Sequence, residues 1–339
     1  MMTMMTPMTM NQSRQVSERM ITIRSIDEIP KGLPLPVVTI GNFDGVHLGH
    51  REIFRRVREA ASACGGVSMV ITFEPHPLTV VPAQRSIQLI TTAAEKEVLI
   101  GAAGIDYLLV IPFTPEFSQF AAGDFVSEVL MGRIGLRRLI IGYDYAFGRN
   151  REGNIDLLGN LALKYGFTLE VLSPIGSGGH VFSSSEIRNM VRAGEVDRVA
   201  ALLGRHYSLG GRVVRGHGRG CSLGFPTANV ETDHELFPAD GVYAVKVRIG
   251  SGMYDGACNI GRKPTFGAES RTIEVHLIDF VGDLYGQSLR IFYIERLRGE
   301  QEYPDAAALR NAINADVAAC RRILGGTILR DEILDREAV

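Results

Sequence analysis

Five short apolar runs, at residues 36–41, 67–73, 107–111, 138–142 and 168–172, alternate with four longer segments of helical periodicity, at 49–64, 92–103, 118–134 and 155–165. Such alternation restricts the architecture to parallel strands joined by crossover helices, an α/β doubly wound, Rossmann-like sheet. Ligands of such sheets bind at the carboxyl ends of the strands. The loops after Phe73, Ile111 and Gly142 are therefore expected to surround one crevice. Short helices follow, one through Arg192 and one over 194–203. At Gly204-Arg205-His206 the rhythm changes. Strand patterns at 207–214, 227–230, 241–249, 256–260, 271–280 and 288–297 follow in series, several separated by Gly-rich turns. Strands without crossover helices pair antiparallel, most economically as a small closed β-barrel. A helix at 305–324 carries Leu309, Ile313, Val317, Cys320 and Leu324 in one stripe, expected to dock on that barrel. Two domains are thus expected, 20–204 and 205–330. The Met-rich residues 1–19 lack the basic start and continuous apolar core of a signal peptide and read as a disordered leader.

A chain of 339 residues has length enough for two cores. Its net charge of −2 argues against a protein built to coat nucleic acid, and no apolar run approaches a membrane span. Cysteines 64, 221, 258 and 320 are scattered, so neither a zinc cluster nor a disulfide framework is indicated. Reduced thiols in a cytoplasmic protein fit best.

The most informative segment is Gly41-Asn42-Phe43-Asp44-Gly45-Val46-His47-Leu48-Gly49-His50, between the first strand and the first helix. Its glycines allow backbone to approach a bulky ligand, and the helix start offers unpaired N–H groups to phosphate. His47 and His50 can face one ligand if the first turn begins near Leu48. Neither G-x-G-x-x-G nor a Lys-Ser/Thr ending is present. The turn instead resembles the H-x-G-H signature of nucleotidylyltransferases. Ser183-Ser184-Ser185-Glu186-Ile187-Arg188 opens another helix, where Ser184 and Ser185 offer hydroxyls and Arg188 a fixed charge to a phosphate chain. Taken alone, that segment reads rather as an ordinary cap with a solvated arginine; beside the His-x-Gly-His turn the phosphate reading is the favoured one.

In the second half a Gly-rich loop with Gly218, Gly220 and Gly224 runs into Phe225-Pro226-Thr227-Ala228-Asn229. Thr227 and Asn229 point the same way in an extended segment and supply hard oxygens suited to Mg²⁺, with the loop placed to wrap phosphates. A plain turn and edge strand fit the same residues. Along 271–280, Ile273, Val275 and Leu277 should face inward and Glu274 and His276 outward. Glu274 is a candidate general base, although spacing alone favours a solvated carboxylate.

Eight segments in order resemble the bacterial bifunctional riboflavin kinase/FAD synthetases: 41–50, Thr-Phe-Glu-Pro-His-Pro (72–77), Gly-Tyr-Asp-Tyr-Ala-Phe-Gly (142–148), 183–188, Gly-Phe-Pro-Thr-Ala-Asn (224–229), Gly-Val-Tyr-Ala-Val (241–245), Asn-Ile-Gly-Arg-Lys-Pro-Thr-Phe (259–266) and Ile-Glu-Val-His-Leu-Ile-Asp-Phe (273–280). The resemblance implies a first-half FMN adenylyltransferase and a second-half riboflavin kinase. ATP would be co-substrate of both, with Mg²⁺ as cofactor and riboflavin, FMN and FAD as substrates and products. It implies catalytic roles for Glu274, His47, His50 and Arg188. ATP or its phosphates would lie on Gly41, Asn42, Phe43, Asp44, Gly49, Ser184, Ser185, Gly218, Gly220 and Gly224. The flavin would meet Phe73, Pro75, His76, Asp144, Tyr145 and Phe147, and Thr227 and Asn229 would arrange the metal. Tyr145, Ala146, Phe182 and Lys263 depart from residues common in that family. Partners are expected to be small molecules, with neither nucleic acid nor membrane.

Overall fold

A computed structural model describes residues 20–80, 87–177, 180–216, 220, 224–265 and 268–329. The expected leader and Gly218 lie outside these residues. Strands β1 (Ile21–Ile23), β2 (Val37–Ile40), β3 (Ser68–Glu74), β4 (Tyr107–Pro112), β5 (Arg138–Gly142) and β6 (Thr168–Leu172) form one sheet in the order β1-β4-β3-β2-β5-β6. Every pairing in it is parallel. The chain leaves β2 toward β3 on one side and later returns to β5 on the other. The carboxyl ends of β2 and β5 therefore form the topological switch point, where such sheets open a crevice.

Helix α1 (Leu48–Cys64) buries Phe54, Val57 and Ala61 against the sheet and ends at Gly65, in the left-handed conformation. Next come the single turn α2 (Pro77–Val80), then α3 (Ala93–Ala102), α4 (Ala122–Asp124), α5 (Ile155–Tyr165), α6 (Ser184–Ala193) and α7 (Val196–Leu203). The helix expected over 118–134 is instead three pieces. A 3₁₀ turn at Phe117–Gln119 breaks before α4, which runs into π-helical winding over Phe125–Ile134. The wider winding still buries Phe125, Val126, Val129, Leu130 and Ile134, and nothing in the residue pattern explains it. Strand β1 was not anticipated, because three residues are too few to show a period.

After a two-stranded ribbon, β7 (Gly176–Ser177) with β8 (His180–Val181), come β9 (Tyr207–Val214), β10 (Ala228–Glu231), β11 (Gly241–Ile249), β12 (Gly252–Thr265), β13 (Ala268–Leu277) and β14 (Ser288–Arg298). These six close as an antiparallel barrel in the order β10-β13-β12-β11-β14-β9. β12 is longer than the expected 256–260, and β13 starts and stops three residues earlier than expected. The β12–β13 pairing carries the hairpin out to Thr265 and Ala268, with no local apolar signal to mark it. Helix α8 (Ala306–Leu324) covers the barrel. Cys320 and Leu324 are buried with Ala244 and Ile278, and Arg298 grips Asp316 through two bonds of 3.0 and 2.7 Å.

Helices α6 and α7 share their apolar cluster with the barrel. Ile187, Val191, Val199 and Leu203 are packed in one cluster with Leu209, Val245 and Tyr293. A polar bridge adds to this contact. Thr92 and Glu95 form a reciprocal cap at the start of α3. The second oxygen of Glu95 accepts from Arg290 of β14 at 2.6 Å and contacts His234 Nε2 at 3.1 Å. Burial works to raise the Glu95 carboxyl, but the His234 hydrogen bond and the charges of His234 and Arg290 outweigh it and hold the group at about 2. A folded value below the ordinary 4.5 adds stability that is full above 4.5 and is lost as pH falls through about 2. In that window Tm is expected to fall more steeply in the native protein than in Glu95→Gln, as read by calorimetry. Parallel curves would show that the bridge does not hold the two halves together.

Candidate active sites

The turn after β2 sits at the switch point. Phe43 (φ 51°) and Val46 (φ 39°) both occupy the left-handed region without being glycine. For β-branched Val46 this is costly, about 1–3 kcal/mol, and persists only where the surroundings enforce it. The enforcing groups are visible. Buried Asp44 accepts from Ile90 N at 3.0 Å, Thr91 N at 3.3 Å and Arg188 Nη2 at 2.7 Å. Gly45 N donates to Thr91 Oγ1 at 3.2 Å, and Thr72 Oγ1 donates to the Asn42 carbonyl at 3.2 Å. Side chains at two glycines would close the turn. A Cβ on Gly41 would lie 2.9 Å from the Phe43 ring, and one on Gly49 3.0 Å from the His47 ring.

His47 caps α1, its Nδ1 accepting from His50 N at 3.3 Å. An accepting Nδ1 in a neutral ring places the proton on Nε2, which is then free to donate. The two imidazoles stack with centroids 3.6 Å apart, and Phe43 meets His50 edge-on. His50 Nδ1 is enclosed and has no hydrogen-bond partner among the described residues. Burial, helped by the charges of Arg205 and Arg188, brings His47 down from 6.5 to about 4. Burial, with His47 adding to it, also brings His50 well below 6.5. Both rings are therefore neutral donors at neutral pH. Their Cε1–H resonances in an NMR titration are expected to stay fixed from about pH 8 to about pH 5. A midpoint near 6.5 would mean that the rings are open to water.

The start of α6 meets this turn from the other side. Ser183 caps α6, Ser184 Oγ donates to the Asp44 carbonyl at 2.9 Å, and Ser185 is exposed. A Cβ on Gly49 would stand 3.4 Å from Phe182. Two helix N-termini thus converge on one spot, which favours an anion. Arg188 adds positive charge, but its guanidinium is buried on Asp44 and on the Gln88 carbonyl, 3.0 Å away.

An aromatic wall lines the same edge of the sheet. Phe73 packs edge-on against Phe113 at 5.7 Å, and Tyr145 stacks on Phe147 at 5.3 Å. Phe117 links the two parts through Phe125. Phe113, Phe117 and Phe120 were missed as wall residues. Their signal was a cluster of phenylalanines at 113, 117, 120 and 125, of which the helical reading of 118–134 absorbed the last two. Buried His76 lies near Asp44, Arg188 and Lys96, while Pro75 and Asp144 are exposed. The Tyr145 hydroxyl is enclosed without a partner among the described residues.

The second site lies on the barrel, on its outward face. Ile273, Val275 and Leu277 are buried inside, as their alternation requires, which turns Glu274 outward. Asn229 of β10 and Asn259 of β12 are the direct cross-strand partners of Glu274. Directly opposed residues share a face, so these three form one row across three strands. Asn259 was not singled out from sequence, because only strand register reveals it. His276 Nδ1 lies 2.9 Å from the Pro226 carbonyl, which can only accept, so the ring donates and fixes the approach to Thr227. Glycines 216 and 220 pass close to the metal-ligand candidates. A Cβ on Gly216 would fall 2.7 Å from Asn229 Oδ1, and one on Gly220 3.1 Å from Thr227 Oγ1.

Residues 31–186 match the family model described as FAD synthetase, and residues 203–324 match that described as riboflavin kinase. Together they define the class, a flavin-directed nucleotidyltransferase and phosphotransferase in one chain. A bifunctional riboflavin kinase/FMN adenylyltransferase of Pseudomonas fluorescens is 39% identical over 291 residues, covering 85% of this chain and 92% of its own. That of Escherichia coli K12 is 34% identical over 292 residues, covering 86% and 93%. The chain belongs to this family of bifunctional riboflavin kinase/FMN adenylyltransferases. A crystal structure of a Streptococcus pneumoniae protein described as a macrolide-efflux protein superposes with a TM-score of 0.82 at 28% identity, covering 90% of this chain and 99% of that one. No helix among the described residues here is long and apolar enough to cross a membrane.

Proposed function

We propose that the two reactions of this family run in two separate sites of this chain, riboflavin phosphorylation in 205–330 and FMN adenylylation in 20–204. The observation that carries this reading is the placement of the two donor sets. The stacked histidines stand at the switch point of the parallel sheet, whereas Glu274 stands on the outer face of the barrel.

In the kinase site Glu274 takes the proton of the ribityl 5′-hydroxyl as that oxygen attacks the γ-phosphorus of ATP, and ADP leaves. Thr227 and Asn229 suit Mg²⁺ by chemistry and by setting. Both offer hard oxygens, and the glycines beside them leave room that any side chain would fill. A bound Mg²⁺ would neutralise phosphate charge there. Gly220 and Gly224, the described glycines of this loop, wrap the phosphates.

In the adenylylation site a phosphate oxygen of FMN attacks the α-phosphorus of a second ATP, and pyrophosphate leaves. No side-chain base is required. His47 and His50 donate to the phosphate oxygens as charge moves onto the leaving group. The start of α6, through Ser184 and Ser185, closes over the triphosphate. Arg188 acts through its hold on Asp44 and through its field. Gly41, Asn42, Phe43 and Gly49 shape the ATP cradle. The flavin lies on the aromatic wall, against Phe73, Pro75, His76, Asp144, Tyr145 and Phe147. The cytoplasm, with its reduced thiols, is the expected compartment.

The test is a product time course with purified protein, riboflavin, ATP and Mg²⁺. FMN first and FAD later is the expected result. FMN alone would leave the first site as a flavin-binding remnant, and bound flavin with neither product would make the chain a carrier.

A further inference from the structure

The geometry points to Arg205 as a positioning residue for FMN adenylylation, although it lies within the residues that match riboflavin kinase. The inference rests on the adenylylation site proposed above. Arg205 follows α7 and immediately precedes the barrel. Its side chain is buried and reaches back to the histidine turn. Nη2 donates to the Gly45 carbonyl at 2.8 Å and Nη1 to the Val46 carbonyl at 3.4 Å.

These two carbonyls flank the most strained residue of the turn. Val46 is β-branched, buried, and held at φ 39°. In a planar trans peptide the C=O and N–H groups point in opposite directions. Fixing the carbonyls of Gly45 and Val46 therefore fixes both peptide planes around Val46. It also fixes the direction in which His47 leaves the turn and α1 begins. The planar fork of a guanidinium holds two acceptors in set geometry, which an ammonium cannot do. Released from Arg205, Val46 has an easier conformation at negative φ. Relaxation toward it would re-aim the two imidazoles together, because they are stacked and share the cap of α1. The other anchors of the turn are Thr91 at Gly45, Arg188 at Asp44 and the Phe43 carbonyl, which accepts from Val46 N at 3.1 Å; they hold the turn up to the Val46 N–H and do not hold the Val46 carbonyl.

The first module's phosphate turn is therefore completed by a residue of the second module's sequence. Arg205 touches neither reacting atom, so its loss should lower the rate of chemistry more than the affinity for ATP.

The test uses the full-length protein, with riboflavin phosphorylation measured in the same samples as a folding control. Arg205→Ala is expected to lower kcat for FMN adenylylation by about 100-fold, the usual cost of displacing catalytic groups by an ångström. KM for ATP should stay within about threefold and riboflavin phosphorylation within about twofold. Arg205→Lys should recover only part of the loss. In a Val46→Gly background, where positive φ carries no strain, the Arg205→Ala effect should shrink to a few-fold, a coupling that a merely structural residue would not show. Arg290→Met, which removes the arginine arm of the Glu95 bridge without touching the turn, should leave adenylylation within about threefold. The inference is overturned if Arg205→Ala leaves kcat unchanged, if its effect is undiminished by Val46→Gly, or if Arg290→Met reproduces it. If Arg205→Ala does not fold, Arg205→Lys and the same Val46→Gly pairing decide the matter. Absence of FAD formation in the native protein would instead refute the adenylylation site itself.

Discussion

Glu274→Gln is expected to lower kcat for riboflavin phosphorylation by about 10²–10⁴-fold, the range in which a positioned general base contributes. The amide keeps the size and the outward direction set by β13, so the row with Asn229 and Asn259 remains. What is lost is the ability to receive a proton. KM for riboflavin should therefore change little, and the loss should appear in kcat. FMN supplied directly should still be converted to FAD at the native rate, because the histidine turn lies on the other module. Steady-state kinetics with each flavin as starting substrate checks this. Loss of both conversions in a folded protein would mean that the two reactions share one site.

His50→Ala is the complementary case, expected to cost FAD formation about 10²–10³-fold, the effect of removing one donor to developing charge. The side chain also stacks on His47 and packs against Phe43. Its removal frees the neighbouring ring as well, which places the effect at the upper end of that range. FMN formation from riboflavin should proceed unchanged, so FMN accumulates. Chromatographic separation of the products over time distinguishes this from a general loss of fold, in which both flavins would be missing.

Much of this organisation was legible in the residues. Strand–helix alternation gave the parallel sheet, because each crossover helix shows its own apolar period. The His47/His50 pair was legible because strand, turn and helix start are contiguous. Alternation of Ile273, Val275 and Leu277 correctly turned Glu274 outward. What was hidden depends on contacts distant in sequence. Asp44 and Arg188 were both read as facing phosphate, yet they are bonded to each other across 144 positions. Nothing local announces an ion pair of that separation. Asn259 joined the Glu274 row only once strand register was known. The π-helical winding of 125–134 was hidden because its apolar spacing also suits an α-helix.

The apolar cluster shared by α6, α7 and the barrel bears on how this chain can be recombined. Ile187, Val191, Val199 and Leu203 precede residue 205 in the chain but pack with the strands that follow it. A fragment ending at residue 204 would expose those side chains to water and strip the same cover from the barrel. Halves exchanged between relatives should therefore remain soluble only when the crossover point lies upstream of α6, so that these helices travel with the barrel they were matched to. The graft would still have to bring Asp44 and Glu95 of one parent into register with Arg188 and Arg290 of the other.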